Sequence, residues 1–206
     1  MTKSLSQLIV TLLLAAASAV PAVAAEQKAV FAGGCFWGVE AVFEHVKGVV
    51  AVRSGYSGDT KETANYEDVS SGATKHAESV EVRFDPAKVT YEQLLGVFFA
   101  VAHDPIEVNR QGPDVGTQYR SAIFYSNEKQ KASANAFILA LNRSKAFDRP
   151  IATEVAPLVA FFEAEEHHQN YLKHNPDDPY IVFNDLPKLK DLENKFPGLY
   201  RAVPAP

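Results

Sequence analysis

The fold is decided by residues 28–46, KAVFAGGCFWGVEAVFEHV, in which two glycines join an apolar run to a helical pattern. The run at 29–32 has the composition of a short buried strand, and the glycine pair permits a tight turn. Apolar side chains then recur at helical spacing from Phe36 to Val46. This stretch predicts a strand, a turn and a helix, with Cys35 at the point where the helix begins.

The rest of the chain continues this alternation of strands and helices. After Gly48, which ends the first helix, further strands are predicted at Val49 to Arg53, Ser79 to Phe84, Ser121 to Tyr125 and Ile151 to Val155. Further helices are predicted from a capping box of Thr90 and Gln93 to Val101, from Asn127 to Leu141, and from Ala164 to Lys173. We expect a long loop at 60–76 and a mostly extended or irregular, proline-rich tail from Asn175 onward.

This pattern predicts an α+β fold, a mixed β-sheet with helices packed on it. No linker or internal repeat interrupts residues 26–206, so we expect them to form one domain with an extended C-terminal tail.

The first 25 residues have the composition of a secretory signal peptide. Lys3 precedes an apolar run from Leu8 to Val20, and small residues follow up to Ala25. A run of 13 residues is shorter than the ~18 that span a bilayer. We therefore expect cleavage after Ala24 or Ala25, export to the periplasm or medium, and no stable membrane insertion afterwards. The alternative is an uncleaved membrane anchor.

The charge balance argues against a nucleic-acid partner. The chain has 20 Lys and Arg against 25 Asp and Glu, a formal net charge of −5, and the basic residues do not cluster. We expect a monomer that acts on peptides or small molecules.

The single cysteine, Cys35, cannot form an internal disulfide, so it is either a small buried residue or a free reactive thiol. A helix start favours the second possibility, because unpaired backbone N–H groups there stabilise a thiolate. We therefore expect Cys35 to be partly ionised near neutrality. The single methionine, Met1, would leave with the signal.

Several motifs in the same order resemble those of the A-type peptide methionine sulfoxide reductases. They are Gly33-Gly34-Cys35-Phe36-Trp37-Gly38, Gly55-Tyr56-Ser57-Gly58, Tyr66, His76-Ala77-Glu78, His103-Asp104-Pro105 and residues 114–121, DVGTQYRS. The resemblance extends from about residue 29 to 172. It implies reduction of methionine S-sulfoxide, free or in peptides and proteins, by an enzyme with a ferredoxin-like two-layer core and no bound cofactor or metal.

The resemblance also implies roles for individual residues. Cys35 matches the nucleophile, which becomes a sulfenic acid as methionine leaves, and Glu78 matches the acid that protonates the sulfoxide oxygen. Tyr66 and Tyr119 match the phenols that hydrogen-bond this oxygen. Phe36 and Trp37 match the apolar wall that receives the S-methyl group, and Asp114 matches an aspartate that holds substrate or solvent.

Physical chemistry supports this set, because a sulfoxide oxygen leaves poorly unless it is protonated. Glu78 can donate that proton only if an apolar pocket raises its pKa toward neutrality. A thiolate at Cys35 would oppose ionisation of Glu78, so we expect the pair to share one proton.

The sequence departs from the commonest pattern of this family at two places. Many relatives have a second cysteine near the C-terminus, but Asn175 to Phe183 contains none. The Cys35 sulfenic acid must then be reduced by an external thiol, namely glutathione, a small dithiol or a thioredoxin-like protein. His167 stands where tyrosine is common, and we expect little consequence.

Other interpretations of the same residues stay open at this stage. A cysteine hydrolase needs a histidine beside Cys35, and the candidates are His45, His76, His103, His167, His168 and His174. A metal site on the last three lacks a zinc-like signature. A non-enzymatic binding domain would leave Cys35 idle, with the aromatic and tyrosine side chains as ordinary core and Glu78 as a solvated carboxylate.

Overall fold

The computed structural model describes residues 25–205, which form a six-stranded mixed sheet, a small two-stranded sheet and helices packed against the larger sheet. The strands are β1 (Gln27–Gly33), β2 (Val49–Ser57), β3 (Ala77–Phe84), β4 (Arg110–Gln111), β5 (Asp114–Val115), β6 (Ser121–Tyr125), β7 (Glu154–Pro157) and β8 (Phe162–Glu163). The α-helices are α1 (Phe36–Glu44), α2 (Tyr66–Ser70), α3 (Tyr91–Val97), α4 (Glu128–Ser144), α5 (Tyr171–His174) and α6 (Leu186–Lys195).

The large sheet has the strand order β7-β6-β1-β3-β2-β8. Strand β3 lies between β1 and β2 and is antiparallel to both, so β1, α1 and β2 form a split βαβ unit. Strand β6 follows α3 and pairs antiparallel with the other edge of β1, whereas β6 and β7 are parallel. The α+β fold with a ferredoxin-like core is thereby confirmed.

The two faces of β1 explain why its sequence is apolar without alternation. On one face Phe31 stacks against Phe43 of α1 and against Phe98 after α3, with ring centroids 5.1 and 4.9 Å apart. On the other face Val30 and Ala32 belong to a smaller cluster with Ala77, Ala122 and Phe124, covered by the segment after β7. Both faces are therefore buried, and β1 and the first residue of α1 are held rigidly.

The two predicted helix caps are confirmed. The Thr90 hydroxyl accepts from the Gln93 backbone N–H, and the Gln93 side chain accepts from the Thr90 N–H, which completes the capping box of α3. The Asn127 side chain caps α4 by accepting from the Gln130 N–H.

The largest errors of the sequence analysis concern the last 45 residues. The predicted helix at Ala164 to Lys173 is instead a 3₁₀ turn, Glu166–His168, and the one-turn α5, separated by Asn170 in the left-handed region (φ 53°). The tail predicted as irregular contains a π-helical turn, Ile181–Asp185, that runs directly into α6. A proline near the start of α6 is compatible with its first turn, where its missing N–H has no helical acceptor.

Smaller differences occur elsewhere. The loop predicted at 60–76 contains the 3₁₀ turn Lys61–Thr63 and α2, and the strand predicted at Ile151 to Val155 begins at Glu154. Among residues 25–205, no helix combines the length and apolar character that crossing a membrane requires. The predicted signal peptide lies outside the described residues, apart from Ala25.

Candidate active site

Two glycines form the turn between β1 and α1 that positions Cys35, and neither could be replaced by a residue with a side chain. A Cβ on Gly34, whose φ is +91°, would lie 2.6 Å from the Gln111 side chain, and a Cβ on Gly33 would lie 2.9 Å from the ring of His103. The missing side chains let the backbone pack closely against these neighbours. Cys35 follows as the N-cap of α1 and is partly exposed.

Glu78 is the second residue of the inner strand β3 and lies beside the start of α1. Its Oε2 accepts a hydrogen bond of 3.0 Å from the backbone N–H of Phe36, the residue directly after Cys35. The side chain is only 2% exposed. Burial raises the pKa of Glu78 to about 8, against the opposing effect of the Phe36 N–H, so the carboxyl is mostly protonated at neutral pH.

The surroundings of Cys35 oppose the partly ionised thiol that the helix start predicts. Burial, and then the negative charges of Glu78 and Asp185, raise the pKa of the thiol well above its ordinary value, and the Trp37 backbone N–H offsets only part of this. The helix start is therefore outweighed by loss of hydration. The direction of both shifts favours the protonated forms of Cys35 and Glu78 over the single shared proton that was expected.

An aromatic wall stands next to the cysteine. The Trp37 ring stacks on Tyr171 with centroids 3.6 Å apart, and its Nε1–H donates to His168 Nδ1 over 3.2 Å. The Tyr66 ring lies 4.5 Å from the His168 ring. Phe36 is 1% exposed and packs behind this wall, whereas Trp37 is partly exposed. Of the two residues predicted to form the apolar wall, Trp37 is the one at the surface.

Tyr66 and Tyr119 reach the same place from different elements. Tyr66 begins α2, and Tyr119 ends the 3₁₀ turn Thr117–Tyr119 before β6. Burial raises the pKa of both phenols, and in each case the next largest cause is the charge of Glu78, followed by smaller contributions that include Cys35 and Asp114. Both tyrosines therefore stay protonated and can donate hydrogen bonds near Glu78.

Asp114 connects this site to the C-terminal region. Its Oδ2 accepts a short hydrogen bond from the Tyr180 hydroxyl, and the Tyr180 ring meets Trp37 edge-on with centroids 6.0 Å apart. The structure thus brings together all seven residues predicted for the site: Cys35, Phe36, Trp37, Tyr66, Glu78, Asp114 and Tyr119.

A family model described as peptide methionine sulfoxide reductase matches residues 27–198. The chain belongs to this family. The peptide methionine sulfoxide reductase MsrA 2 of Mesorhizobium japonicum is 53% identical over 178 residues, which cover 86% of this chain and 91% of that protein. The MsrA 2 of Synechocystis sp. is 54% identical over 176 residues, 85% of this chain and 82% of that protein.

Solved structures agree with the family assignment. Reduced Mxr1 from Saccharomyces cerevisiae superposes with a TM-score of 0.69 at 32% identity, covering 74% of this chain and 87% of that one. Methionine sulfoxide reductase A of Corynebacterium diphtheriae gives a TM-score of 0.64 at 33% identity, covering 73% and 76%. The family resemblance that the motifs indicated is confirmed.

His103, which lines a cavity together with Cys35, has no ring nitrogen free to act as a catalytic base for it. Its Nδ1 contacts the Phe98 carbonyl oxygen at 2.9 Å and its Nε2 contacts Ser121 Oγ at 2.6 Å, so both ring nitrogens are occupied. His168 Nδ1 accepts from Trp37. Within residues 25–205, no group of three His, Cys, Asp or Glu side chains is arranged to hold a metal ion.

Sequence reasoning missed the contribution of the C-terminal region to the reductase site. Tyr171, Tyr180, His168 and Asp185 all contact or influence the predicted residues, and two of them lie in the tail expected to be irregular. The leucines at 186, 189 and 192 recur at helical spacing and could have predicted α6. No signal in the sequence shows that this helix packs on α1.

Proposed function

We propose that Cys35 takes the oxygen from methionine S-sulfoxide, free or in peptides and proteins, and that Glu78 supplies the proton. Family membership makes the chain a methionine sulfoxide reductase, an oxidoreductase of thiol-dependent protein repair. The S epimer is proposed because each class of reductase handles one epimer.

The position of Glu78 carries this assignment. A carboxyl group that is 2% exposed, has a pKa of about 8 and is hydrogen-bonded to the residue after Cys35 is an acid at neutral pH. As Cys35 attacks the sulfoxide sulfur, Glu78 protonates the oxygen, and the thiol proton restores Glu78. The bond between the methionine sulfur and oxygen breaks, and an S–OH bond forms at Cys35. Methionine is reduced by two electrons and Cys35 is oxidised by two.

The aromatic wall receives the substrate in this proposal. Trp37, stacked on Tyr171, presents an apolar surface for the S-methyl group, with Phe36 packed behind it. Tyr66 and Tyr119 donate hydrogen bonds to the sulfoxide oxygen, and Asp114 holds the substrate backbone or a solvent molecule. The same phenols then surround the hydroxyl of the Cys35 sulfenic acid.

An external thiol completes the cycle, since Cys35 is the single cysteine of the 206 residues. Glutathione, a small dithiol and a thioredoxin-like protein are the candidate donors. The yeast relative Mxr1 has been solved in complex with Trx2. A signal at residues 1–25, removed after Ala24 or Ala25, would place the monomeric enzyme in the periplasm or outside the cell.

Single-turnover measurements test the reaction. The S and R enantiomers of a methyl sulfoxide are offered to the reduced enzyme without added thiol, and sulfenic acid is trapped with a selective probe. We expect one equivalent of thioether and labelled Cys35 from the S form alone. Cys35→Ser should form neither product. Equal yields from both enantiomers would contradict the epimer assignment, and thioether formation by Cys35→Ser would contradict the nucleophile.

A further inference from the structure

A recess beside Cys35 is lined largely by residues that have no part in the proposed oxygen transfer. This cavity of about 160 Å³ is lined by Cys35, by Val101, His103, Asp104 and residues 111–114, and by Tyr180, Asn184 and Lys188 from the C-terminal region. Glu78, Tyr66 and Tyr119 do not line it. The recess therefore adjoins Cys35 and Asp114 but not the three side chains assigned to the sulfoxide oxygen.

Lys188 places a fixed cation in this cavity. Its Nζ lies 3.0 Å from Oδ1 of Asp185, whose side chain is 1% exposed. Asp185 packs against α1 at Gly38, where an added Cβ would lie 2.0 Å from the same oxygen. Asp185 thus holds the lysine in place, and one of the three ammonium donors is used. The other two have no partner among residues 25–205 and are available to a ligand.

Two acidic residues also line the cavity. Asp104 is exposed at its rim, and Asp114 lines its wall with one carboxylate oxygen bound to the Tyr180 hydroxyl. One ammonium and two carboxylates suit a zwitterion better than a simple anion or cation. The head group of an amino acid, which has one carboxylate and one ammonium, matches this arrangement.

We propose that this cavity binds the reductant, a small thiol with an amino-acid head group such as glutathione, through an ion pair between its carboxylate and Lys188. The proposal rests on the proposed function, which requires an external thiol at Cys35. The donor sulfur attacks the Cys35 sulfenic acid, the S–O bond breaks, an S–S bond forms, and the hydroxyl leaves as water with the thiol proton. A second donor thiol then attacks the mixed disulfide, which releases the oxidised donor disulfide and Cys35 as a thiol.

Donor kinetics with a matched pair of thiols test the ion pair. Glutathione and its diethyl ester carry the same thiol, but the ester lacks both carboxylates. An uncharged sulfoxide, N-acetylmethionine S-sulfoxide amide, is used at saturation so that the substrate has no amino-acid head group. In the unsubstituted enzyme we expect kcat/KM for glutathione to exceed that for the ester about fivefold, a typical gain for a partly exposed ion pair. Lys188→Met should abolish this preference. Because the loss of Lys188 also leaves Asp185 without its partner, the readout is the ratio of the glutathione and ester rates within each variant, which a general change in Cys35 reactivity does not alter.

The control variant is Lys190→Met, which removes the same charge from the same helix at a lysine paired with Glu193 outside the cavity. It should keep the glutathione preference. If Lys188→Met does not fold because Asp185 loses its partner, Lys188→Gln replaces it, since its amide can still donate to Asp185 but has no charge for an ion pair.

Three outcomes would overturn the reductant site. The first is a preference for glutathione that persists without Lys188, and the second is an equal loss of rate with glutathione and dithiothreitol. The third is an increase in KM for free methionine sulfoxide alone, which would assign the head-group site to the substrate. If the unsubstituted enzyme forms no sulfenic acid at all, the proposed function fails, which is a different result from the failure of this site.

Discussion

Two buried carboxyl groups at helix α1 have pKa values raised to about 8. Glu78 lies beside the first turn of the helix, and Glu40 belongs to its second turn. Both are at most 2% exposed, and each accepts one backbone N–H, from Phe36 in the first case and from Asn170 in the second. Burial is the largest cause of both pKa shifts. By these measures the two glutamates are equivalent.

Their surroundings separate them. Glu78 adjoins Cys35 and is near the phenols of Tyr66 and Tyr119, whereas Glu40 faces the left-handed turn before α5 and a second buried glutamate, Glu44. A raised pKa therefore reports loss of hydration, and it identifies an acid catalyst only where a reacting atom can approach. The residues around a buried carboxyl group, and not its pKa alone, therefore decide whether it can act in catalysis.

The largest expected difference between the two glutamates is in activity. Glu78→Gln removes the proton donor but keeps the acceptor for the Phe36 N–H, so we expect a folded protein whose kcat/KM falls by about 10²- to 10⁴-fold. Glu40→Gln keeps the acceptor for Asn170 and should stay within about threefold of the unsubstituted enzyme. Steady-state assays with a methyl S-sulfoxide and dithiothreitol measure both. Comparable losses in the two variants would mean that Glu78 acts through structure.

The pH dependence of activity should follow Glu78 and not Glu40. Glu78 is an acid only below its pKa of about 8, so kcat/KM should be constant at lower pH and then fall about tenfold per pH unit as the carboxyl ionises. Glu40→Gln should keep this falling limb at the same pH. If the fall in kcat/KM at high pH shifts or disappears in Glu40→Gln, the group that titrates is Glu40 and not Glu78.

Stability, unlike activity, should depend on both glutamates, because Glu40 also has a raised pKa in the folded protein. Its folded pKa of about 8 exceeds an unfolded value of 4.5, so between these pH values the folded state holds a proton that the unfolded state has lost. The free energy of unfolding then decreases as pH rises through this window, by up to about 1.4 kcal/mol per pH unit for one group.

Glu40→Gln should reduce the pH dependence of the free energy of unfolding by up to the contribution of one proton. Below about pH 4.5 the free energy of unfolding should change little with pH in either protein. Urea unfolding at several pH values from 4.5 to 8 measures it. Glu78 contributes to the slope with the same sign, so Glu78→Gln should also reduce it. An unchanged slope in Glu40→Gln would show that this carboxyl is hydrated or paired in solution.

How far the sequence predicts this molecule depends on whether a feature is local. The strand–turn–helix at 28–46 and the caps at Thr90 and Asn127 could be predicted, because spacing and backbone requirements determine them. The site residues were predicted from the resemblance of their motifs to those of a known family. The ionisation of Cys35 could not be predicted. The local helix start favours a thiolate, but burial and the charges of Glu78 and Asp185, which are 43 and 150 positions away, dominate.

Adjacent residues after β8 show the same limit. Residues 166–168 form a single 3₁₀ turn, and the sequence alone gives no reason to distinguish His167 from His168. In the structure His167 is exposed, whereas His168 is 3% exposed and bound to Trp37. Packing of the turn on the start of α1, which Glu40 helps to fix through Asn170, makes the difference.

The smallest expected effect tests this turn. His167→Tyr should change kcat/KM by less than about twofold, because an exposed side chain can be replaced without loss of buried contacts. His168→Ala should instead raise KM for the sulfoxide, since it leaves the Trp37 N–H without its acceptor and opens a gap behind the Tyr66 ring. Steady-state kinetics with one sulfoxide at fixed dithiothreitol compare the two. An effect of His167→Tyr as large as that of His168→Ala would mean that the position of the whole turn affects catalysis. Glu40, which binds the Asn170 N–H after this turn, would then also support the active site.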